Sequence, residues 1–372
     1  MTSRTLGVSA ALVDGELLPG DVRIDGDTVA AVGLPPAAGG RIAAPGLVDL
    51  QVNGFAGVDL MAADVEEMRA LAAALPPHGV TSFLPTLITA AATDTDRALD
   101  RLAEAFGPPH ASGATGAHCL GVHLEGPYLS PRRLGTHPPE HRRDPDPEEL
   151  AGWRRRADVV AVTLAPELPG ALDLVKSLAA DGVLVSLGHS DATAREAGLA
   201  FEAGARTVTH LFNAMSPLHH REPGLPGAAL ARPEVVVQLV LDGHHLAPEV
   251  VRVVWAAARG RIVLVTDATA AAGCPDGQFA LGEVALDVVE GAVRNSDGTL
   301  AGSALTLTGA VTNAVELGID PAEALRAVTA TPAALIGRDD VGVLRPGGRA
   351  DVTVFGDDLV LRETYLAGQP VS

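Results

Sequence analysis

The stretch CLGVHLEGPYLS, from Cys119 to Ser130, decides how the rest of this chain is interpreted. It begins as an apolar run of strand length and ends in Gly126-Pro127, a strong turn signal. Glu125 stands where such a strand would end. A carboxylate there is costly to remove from water unless a cation neutralises it, and a metal ion is the usual partner. The stretch therefore predicts a buried strand with a functional carboxylate at its carboxyl end.

Three more polar residues follow apolar runs in the same way. His189 follows LVSLG, His210 follows RTVT and Asp267 follows RIVLVT. One carboxylate and two imidazoles form a three-ligand set suited to catalytic zinc, with a fourth position left for water. Asp267 could then transfer protons beside that metal. Any one of these residues alone is as well explained by a structural salt bridge or hydrogen bond, but four at successive strand ends favour one site.

The middle of the chain alternates between strand and helix patterns, and eight such units favour a (β/α)8 barrel. Barrel active sites lie at the carboxyl ends of the strands, so the four polar residues, at the ends of candidate strands 3, 5, 6 and 8, would converge. A doubly wound open sheet is the rival, although no GxGxxG opens a βα turn. The strand candidates are 46–53, 80–87, 119–125, 159–165, 183–188, 207–211, 235–241 and 262–266. A hairpin near 278–296 and helices at 304–317 and 321–336 are expected after them.

Both ends of the chain have a different pattern, with short alternating runs and hairpin signals at Asp14-Gly15 and Asp25-Gly26. We therefore expect a small β-sandwich domain formed by residues 1–43 together with 342–372. The barrel domain is expected over 44–341.

Composition excludes several classes of function. A net charge of −19 argues against nucleic-acid binding, and it means that an anionic substrate would need a local cationic pocket. No apolar run reaches membrane-spanning length. The two cysteines, Cys119 and Cys274, lie far apart without CxxC spacing, so a disulfide framework is not expected. These features predict a cytoplasmic protein that binds neither nucleic acid nor membranes.

Nine short motifs follow one another along nearly the whole chain: PGLVDLQVNG, GVHLEGPYLS, GTHPPEHR, TLAPE, GHSDAT, THLFNAMSPLHHREPG, LDGHHL, LVTDAT and GTLAGSALTL. Through this ordered set the chain resembles the N-acetylglucosamine-6-phosphate deacetylases of the amidohydrolase superfamily. The first barrel strand of that superfamily usually ends in His-x-His, whereas GLVDLQVNG at 46–54 has Gln51 and Asn53 in those positions. Neutral amides are poor zinc ligands, so we expect one tightly held metal ion, with both amides beside its bound water and its ligands.

The resemblance implies metal-dependent hydrolysis of the N-acetyl amide of N-acetylglucosamine 6-phosphate. It implies that Glu125, His189 and His210 bind one divalent ion, with zinc favoured and iron or cobalt also suited, and that Asp267 is the acid/base. It also implies a homodimer in which groups of one subunit reach the phosphate held by its neighbour. His137 is expected near the acetamido carbonyl as a catalytic residue that stabilises the developing oxyanion. The other implied substrate contacts are Asn213, Ala214, Arg221 and His245 at the sugar phosphate, and the backbone of Leu300, Ala301 and Gly302.

Two other functions remain open at this point. One is another amidohydrolase that cleaves N-acyl or cyclic amides, although such enzymes generally keep His-x-His and often a carboxylated lysine. The other is a non-catalytic barrel scaffold, against which the intact Glu125, His189, His210 and Asp267 argue.

Overall fold

The computed structural model describes residues 3–107 and 116–371, and its largest feature is a nearly closed ring of eight parallel strands. A helix follows each strand, which confirms the predicted (β/α)8 barrel. The barrel strands are β1 (Leu47–Val52), β2 (Val80–Ile88), β3 (Val122–Glu125), β4 (Val159–Leu164), β5 (Leu184–Leu187), β6 (Thr207–Val208), β7 (Val236–Leu239) and β8 (Ile262–Leu264).

Five of the ten described α-helices begin after a residue whose side chain caps their free N–H groups. Asp64 and Glu67 form a capping box at the first helix, and Thr193 and Glu196 form another at the fifth. The helices are α1 (Val65–Ala74), α2 (Ala92–Phe106), α3 (Pro147–Arg156), α4 (Ala171–Ala180), α5 (Ala194–Ala203), α6 (Gly224–Leu230), α7 (Pro248–Ala257), α8 (Leu307–Glu316), α9 (Pro321–Arg326) and α10 (Ala330–Leu335). Two short 3-10 helices span Pro76–His78 and Pro139–His141.

Each barrel strand pairs in parallel with the next one, and the ring closes on the side of β1 and β8. Val52 forms a parallel bridge with Ala268, and the backbone N–H of Asn53 donates to the Ala268 carbonyl at 2.8 Å. The main hydrophobic core lies between the strands and the outer helices and consists largely of Ala, Val and Leu side chains. Burial of this apolar surface is the main stabilising contribution to the barrel.

Two predicted elements of the barrel domain are each divided in the structure. The strand expected over 119–125 is divided into His118–Cys119 and β3, because the chain turns at Gly121 with φ +124°. A Cβ at Gly121 would lie 2.4 Å from a methyl group of Val160, so this crossing needs glycine. The helix expected over 321–336 is two helices, α9 and α10, separated at Thr329, whose backbone is not helical.

Strands from both ends of the chain form a second body with its own apolar core. One sheet contains Gln369–Val371, Leu361–Leu366, Val352–Phe355, Ile42–Pro45, Ala10–Val13 and Glu16–Pro19 in spatial order. The other contains Ser3–Thr5, Asp21–Asp25 and Thr28–Leu34. Residues 1, 2 and 372 of the predicted small domain lie outside the described residues. The proposed boundary at 43/44 falls inside the strand Ile42–Pro45, and the division into domains stays a prediction.

Between β8 and α8 the chain forms a small antiparallel sheet above the barrel, with three strands where a hairpin was expected. These strands are Gln278–Leu281, Val284–Val289 and Ala292–Asn295. The loop after β1 adds two short paired strands, Gly54–Phe55 and Val58–Asp59. Cys119 and Cys274 are not disulfide-bonded, and no described helix is long and apolar enough to cross a membrane.

Candidate active site

Three side chains from the ends of β3, β5 and β6 meet at the carboxyl end of the barrel. The Oε1 atom of Glu125 lies 3.2 Å from Nε2 of His189 and 3.1 Å from Nε2 of His210. The two Nε2 atoms are 3.1 Å apart, and all three side chains are buried. The sequence placed these residues at separate strand ends, and the structure brings them into one triangle.

The chemistry of this triangle fits a metal ion. Nδ1 of His189 is 3.0 Å from the carbonyl oxygen of Arg133, which can only accept, so Nδ1 carries the proton and Nε2 of the neutral ring presents a lone pair. That lone pair faces a carboxylate oxygen and a second imidazole nitrogen. One proton can bridge only two of the three atoms, whereas a cation contacts all of them. Ligand atoms of a tetrahedral zinc ion lie about 3.3 Å apart at usual bond lengths, close to the observed spacing.

Glu125 is ionised in this arrangement. Burial acts to raise the pKa of its carboxyl group, but the rings of His189 and His210 outweigh that effect and hold the pKa well below its usual value. An ionised carboxylate beside two imidazoles is a suitable ligand set for a divalent cation.

Asp267 lies beside this cluster and is held by two amide side chains. Its Oδ1 atom accepts hydrogen bonds from Nε2 of Gln51 at 3.0 Å and from Nδ2 of Asn53 at 2.7 Å. Gln51 also donates to Oε1 of Glu125 at 3.1 Å, so it connects Asp267 to the cluster. Burial and the negative charge of Glu125 raise the pKa of Asp267 to about 7. A carboxyl group with such a pKa can both accept and return a proton near neutral pH.

His137 approaches from the long loop after β3. The backbone N–H of Thr89 donates to its Nδ1 at 3.3 Å, and the Thr89 hydroxyl lies 2.9 Å from the same atom. Nδ1 is therefore an acceptor, and the proton of the neutral ring is on Nε2, which lies 3.8 Å from Oε2 of Glu125. Burial, with a contribution from His189, lowers the pKa of His137 to about 3. The ring is thus a neutral N–H donor beside the cluster.

The carbonyl that orients His189 is itself anchored by an ion pair. The guanidinium group of Arg133 contacts Oδ1 of Asp191 at 2.7 and 2.8 Å. Asp191 is held in turn, because its backbone N–H donates to Glu167 at 2.7 Å, and the Ser190 hydroxyl donates to the other oxygen of Glu167 at 2.7 Å. The turn that carries His189 is therefore fixed by contacts from the loop after β4 and from the loop after β3.

Three of the four strand-end residues adopt left-handed backbone conformations, with φ of +47° at His189, +30° at His210 and +51° at Asp267. For residues with a Cβ such conformations cost about 1–3 kcal/mol each and occur often at functional sites. Gly302 packs against this strained region, since a Cβ there would lie 2.7 Å from the Asp267 carbonyl oxygen. The left-handed conformation directs each of these side chains from the strand end toward the mouth of the barrel.

A cavity of about 410 Å³ opens above the cluster. Of the residues predicted to contact substrate, it is lined by His137, Asn213, Ala214, His245, Leu300 and Gly302. The ring of His245 is oriented by Asp242, whose Oδ2 atom lies 2.7 Å from Nδ1. Glu125, His189, His210, Asp267 and Asn53 also line the cavity, so the predicted site is one continuous space.

Two predicted contact residues do not line this cavity. Ala301 is buried between its lining neighbours. Arg221 is exposed, and its side chain lies beside His220, with 2.7 Å between the Arg221 guanidinium and Nε2 of His220. Arg221 is therefore not placed at the cavity of its own chain.

The sequence did not point to several residues that shape the site. Thr89, which follows β2, could have been noticed because it also ends an apolar run. Arg133 and Asp191 are 58 positions apart, so no local pattern connects them. Arg294 lines the cavity from the small antiparallel sheet. This sheet is not part of the barrel, so the expectation that site residues lie at the carboxyl ends of barrel strands does not extend to it.

A second potential ligand group in the described part of the chain lies at the surface. Glu140, His141 and Glu283 have side-chain atoms within 4.8 Å of one another. Both carboxylates are exposed, and a 3.4 Å contact joins His141 to Glu283. This contact links the loop of His137 to the small antiparallel sheet.

The barrel, with a carboxylate, two imidazoles and an aspartate at its strand ends, defines a metal-dependent hydrolase of the (β/α)8 class. A model of the amidohydrolase family matches residues 42–371. The chain belongs to the amidohydrolase family and, within it, to the N-acetylglucosamine-6-phosphate deacetylases that its motifs predicted.

Relatives cover most of the chain. It is 41% identical over 334 residues to an N-acetylgalactosamine-6-phosphate deacetylase of Escherichia coli O157:H7, covering 88% of this chain and 87% of that one. It is 38% identical over 331 residues to the N-acetylglucosamine-6-phosphate deacetylase of Vibrio furnissii, covering 88% and 82%.

A solved structure has the same fold over its whole length. It is an aspartate-to-alanine variant of the Mycobacterium smegmatis N-acetyl-D-glucosamine-6-phosphate deacetylase in complex with N-acetyl-D-glucosamine 6-phosphate. The TM-score is 0.93 at 35% identity, and 100% of both chains is covered.

Proposed function

We propose that this protein hydrolyses the N-acetyl amide of N-acetylglucosamine 6-phosphate, giving glucosamine 6-phosphate and acetate. The observation that carries the proposal is the placement of Asp267, held by Gln51 and Asn53, beside the triangle of Glu125, His189 and His210. The relatives, named as deacetylases of such sugars, favour this activity over another amidohydrolase reaction or a non-catalytic scaffold.

Glu125, His189 and His210 would hold one divalent metal ion, with zinc favoured by the carboxylate–imidazole set and iron or cobalt also suited. When bound, such an ion lowers the pKa of water to about 7 and polarises a carbonyl oxygen. Gln51 and Asn53 serve as hydrogen-bond donors that orient Asp267 and Glu125 rather than as further metal ligands.

Asp267 transfers the proton in this mechanism. Both amide donors contact its Oδ1 atom, so Oδ2 is free to take a proton from the attacking water. Attack on the acetyl carbonyl gives a tetrahedral intermediate. Asp267 then returns the proton to the nitrogen, and the C–N bond breaks with the amine as leaving group. The position of this carboxylate beside the triangle lets one group make both transfers.

His137 stabilises the charge that develops on the carbonyl oxygen. Its Nε2–H is a fixed donor, because Thr89 occupies Nδ1 as a hydrogen-bond donor. His137 is buried, and a preorganised neutral donor at a buried site stabilises an oxyanion more strongly than water does. Asn213, Ala214, His245 and the backbone around Leu300 to Gly302 would orient the sugar, so that binding energy far from the reacting carbon favours the reaction.

The protein would act as a homodimer with shared sites. Support comes from Arg221, whose guanidinium group is exposed and outside the cavity of its own chain. In a dimer this group would contact the phosphate held by the neighbouring subunit. The two free cysteines support a reducing, cytoplasmic setting.

The direct test is turnover by protein reconstituted with zinc, measured as acetate release from N-acetylglucosamine with and without its 6-phosphate. We expect efficient release only from the phosphorylated sugar. Chelation should abolish this activity, and added zinc, iron or cobalt should restore it. Absence of acetate release by fully metal-loaded protein would refute the proposal.

A second substrate is favoured by one observation, the 41% identity to an N-acetylgalactosamine-6-phosphate deacetylase. That sugar differs from N-acetylglucosamine 6-phosphate in the configuration at C4 alone, and its amide on C2 is unchanged. Parallel kcat/KM measurements on the two epimers would rank them. A preference for the galacto epimer would change the assigned substrate while leaving the mechanism intact.

A further inference from the structure

A phosphorylated substrate requires a cation at the cavity. Arg221, the motif residue expected to supply that cation, lies elsewhere. The chain carries a net charge of −19, so a phosphorylated sugar is repelled at long range. Arg221 does not line the cavity of its own chain. Among the described residues that line it, Arg294 is the only arginine or lysine.

Arg294 lies on the edge strand Ala292–Asn295 of the small antiparallel sheet, and its backbone position is well defined. It forms an antiparallel bridge with Leu300, which also lines the cavity. Asn295 closes the intervening turn, because its Oδ1 atom accepts from the backbone N–H groups of Asp297 and Thr299, each at 3.0 Å. The exposed arginine therefore stands on a short hairpin, closed by hydrogen bonds, at the cavity wall.

The guanidinium group is oriented but not neutralised. One terminal nitrogen donates to the Gly298 carbonyl at 2.7 Å, which leaves the other terminal nitrogen and Nε as donors. No carboxylate of the described residues lies within 4.0 Å of it. Its cross-strand neighbour Asp287 instead accepts from Gln278 at 3.3 Å. An oriented, unpaired guanidinium group at a cavity wall is well suited to bind a phosphate.

We propose that Arg294 binds the 6-phosphate from within the same chain and so determines the preference for phosphorylated substrate. This inference rests on the proposed function and adds a residue that the sequence motifs do not assign. Arg221 of a neighbouring subunit would then complete the phosphate site rather than form it alone. Because Arg294 is remote from the reacting amide, it should contribute mainly to binding and hence to KM.

The test compares Arg294→Gln with Arg345→Gln, which removes the same charge from an exposed arginine that does not line the cavity. In zinc-loaded protein, Arg294→Gln should raise KM for the phosphorylated sugar by about 10- to 100-fold, as expected for lost charge-assisted hydrogen bonds. Its kcat/KM for unphosphorylated N-acetylglucosamine should stay within about twofold of wild type. Arg294→Lys should restore part of the loss, and Arg345→Gln should match wild type.

Equal losses on both sugars, or no loss on either, would overturn the inference. A loss in Arg221→Ala without a loss in Arg294→Gln would assign the phosphate to Arg221 and also overturn it. If wild-type protein hydrolyses neither sugar, the proposed function fails and binding decides the role of Arg294. Calorimetric titration with glucosamine 6-phosphate should then show at least tenfold weaker binding to Arg294→Gln, and unchanged affinity would refute the inference.

Discussion

At the scale of single residues, Asp267 combines an unusual backbone with an unusual environment. Its φ of +51° turns the side chain into the cavity, and two amide donors fix one carboxylate oxygen. Burial and Glu125 raise the pKa of its carboxyl group. A structural carboxylate gains little from such a position, whereas a proton carrier needs both the orientation and the pKa.

Asp267→Asn should keep the metal and lose nearly all turnover. The amide has nearly the same shape, but it cannot accept the proton of water, and loss of a general base costs about 10²- to 10⁴-fold. Metal content by atomic absorption and kcat on the phosphorylated sugar would be measured together. Near-normal kcat with stoichiometric metal would remove Asp267 from the acid/base role.

The ion pair between Arg133 and Asp191 should affect metal affinity without touching the metal. Asp191→Asn weakens the anchor of the carbonyl that orients His189, and such supporting contacts typically contribute 10- to 100-fold in metal affinity. The measurement is the zinc dissociation constant by competition with a chelator. Asp173→Asn, which removes the same charge from an exposed residue, is the control. Equal affinities in both variants would show that the ion pair does not orient the ligand.

At the scale of secondary structure, one buried carboxylate joins the first and last strands of the barrel. Asp49 in β1 accepts from the hydroxyl of Thr266 at 2.7 Å and from its backbone N–H at 3.2 Å. Thr266 directly precedes Asp267, so this contact between the two ends of the ring also supports the position of the proposed acid/base. Burial raises the pKa of Asp49 from 3.8 to about 6, despite the opposing bonds from Thr266.

This raised pKa predicts a pH-dependent effect of Asp49→Asn on stability. Between about pH 4 and 6 the folded chain binds a proton at Asp49 that the unfolded chain releases, so the wild type gains stability as pH falls and loses it as pH rises through 6. The variant lacks this gain. The substitution should lower the free energy of unfolding by about 1–2 kcal/mol at pH 7 and by more at pH 5, as measured by urea unfolding. If the loss of unfolding free energy were smaller at pH 5 than at pH 7, the raised pKa of Asp49 would be contradicted.

At the scale of the whole molecule, the active cavity is built from four separate regions of the chain. The strand ends supply the candidate metal ligands and Asp267, and the loop after β3 supplies His137. The small antiparallel sheet contributes Arg294 and Leu281, and the turn after β6 contributes Asn213. Arg221, exposed on its own chain, would be a fifth contribution from a partner.

Shared sites predict complementation between two defective subunits. In a heterodimer of Arg221→Ala with Asp267→Asn, one site has an intact Asp267 and receives Arg221 from its neighbour. Such a heterodimer, isolated with two different tags, should show about half of the wild-type turnover, because one of its two sites is complete. The Arg221→Ala and Asp267→Asn homodimers are the controls. A heterodimer no more active than the Arg221→Ala homodimer would show that Arg221 does not act across an interface.

The sequence alone determined the barrel, the strand-end residues and the family. Alternating strand and helix patterns are local, and a parallel barrel places every strand end on one face, so Glu125, His189, His210 and Asp267 could be grouped without coordinates. Strand boundaries were less certain, because the break at Gly121 depends on its close approach to Val160 in β4.

Only the tertiary structure decided how these residues are supported and which cations face the cavity. The Arg133–Asp191 pair and the hydrogen bond from Thr266 to Asp49 join positions far apart in the chain. The cavity likewise brings Arg294 together with strand ends that are distant from it in the sequence. Such contacts depend on side-chain directions and on the packing of loops, which leave no periodic signal in the sequence. Hydrophobic periodicity records which face of an element is buried, whereas a polar contact between distant segments exists only once the chain has folded.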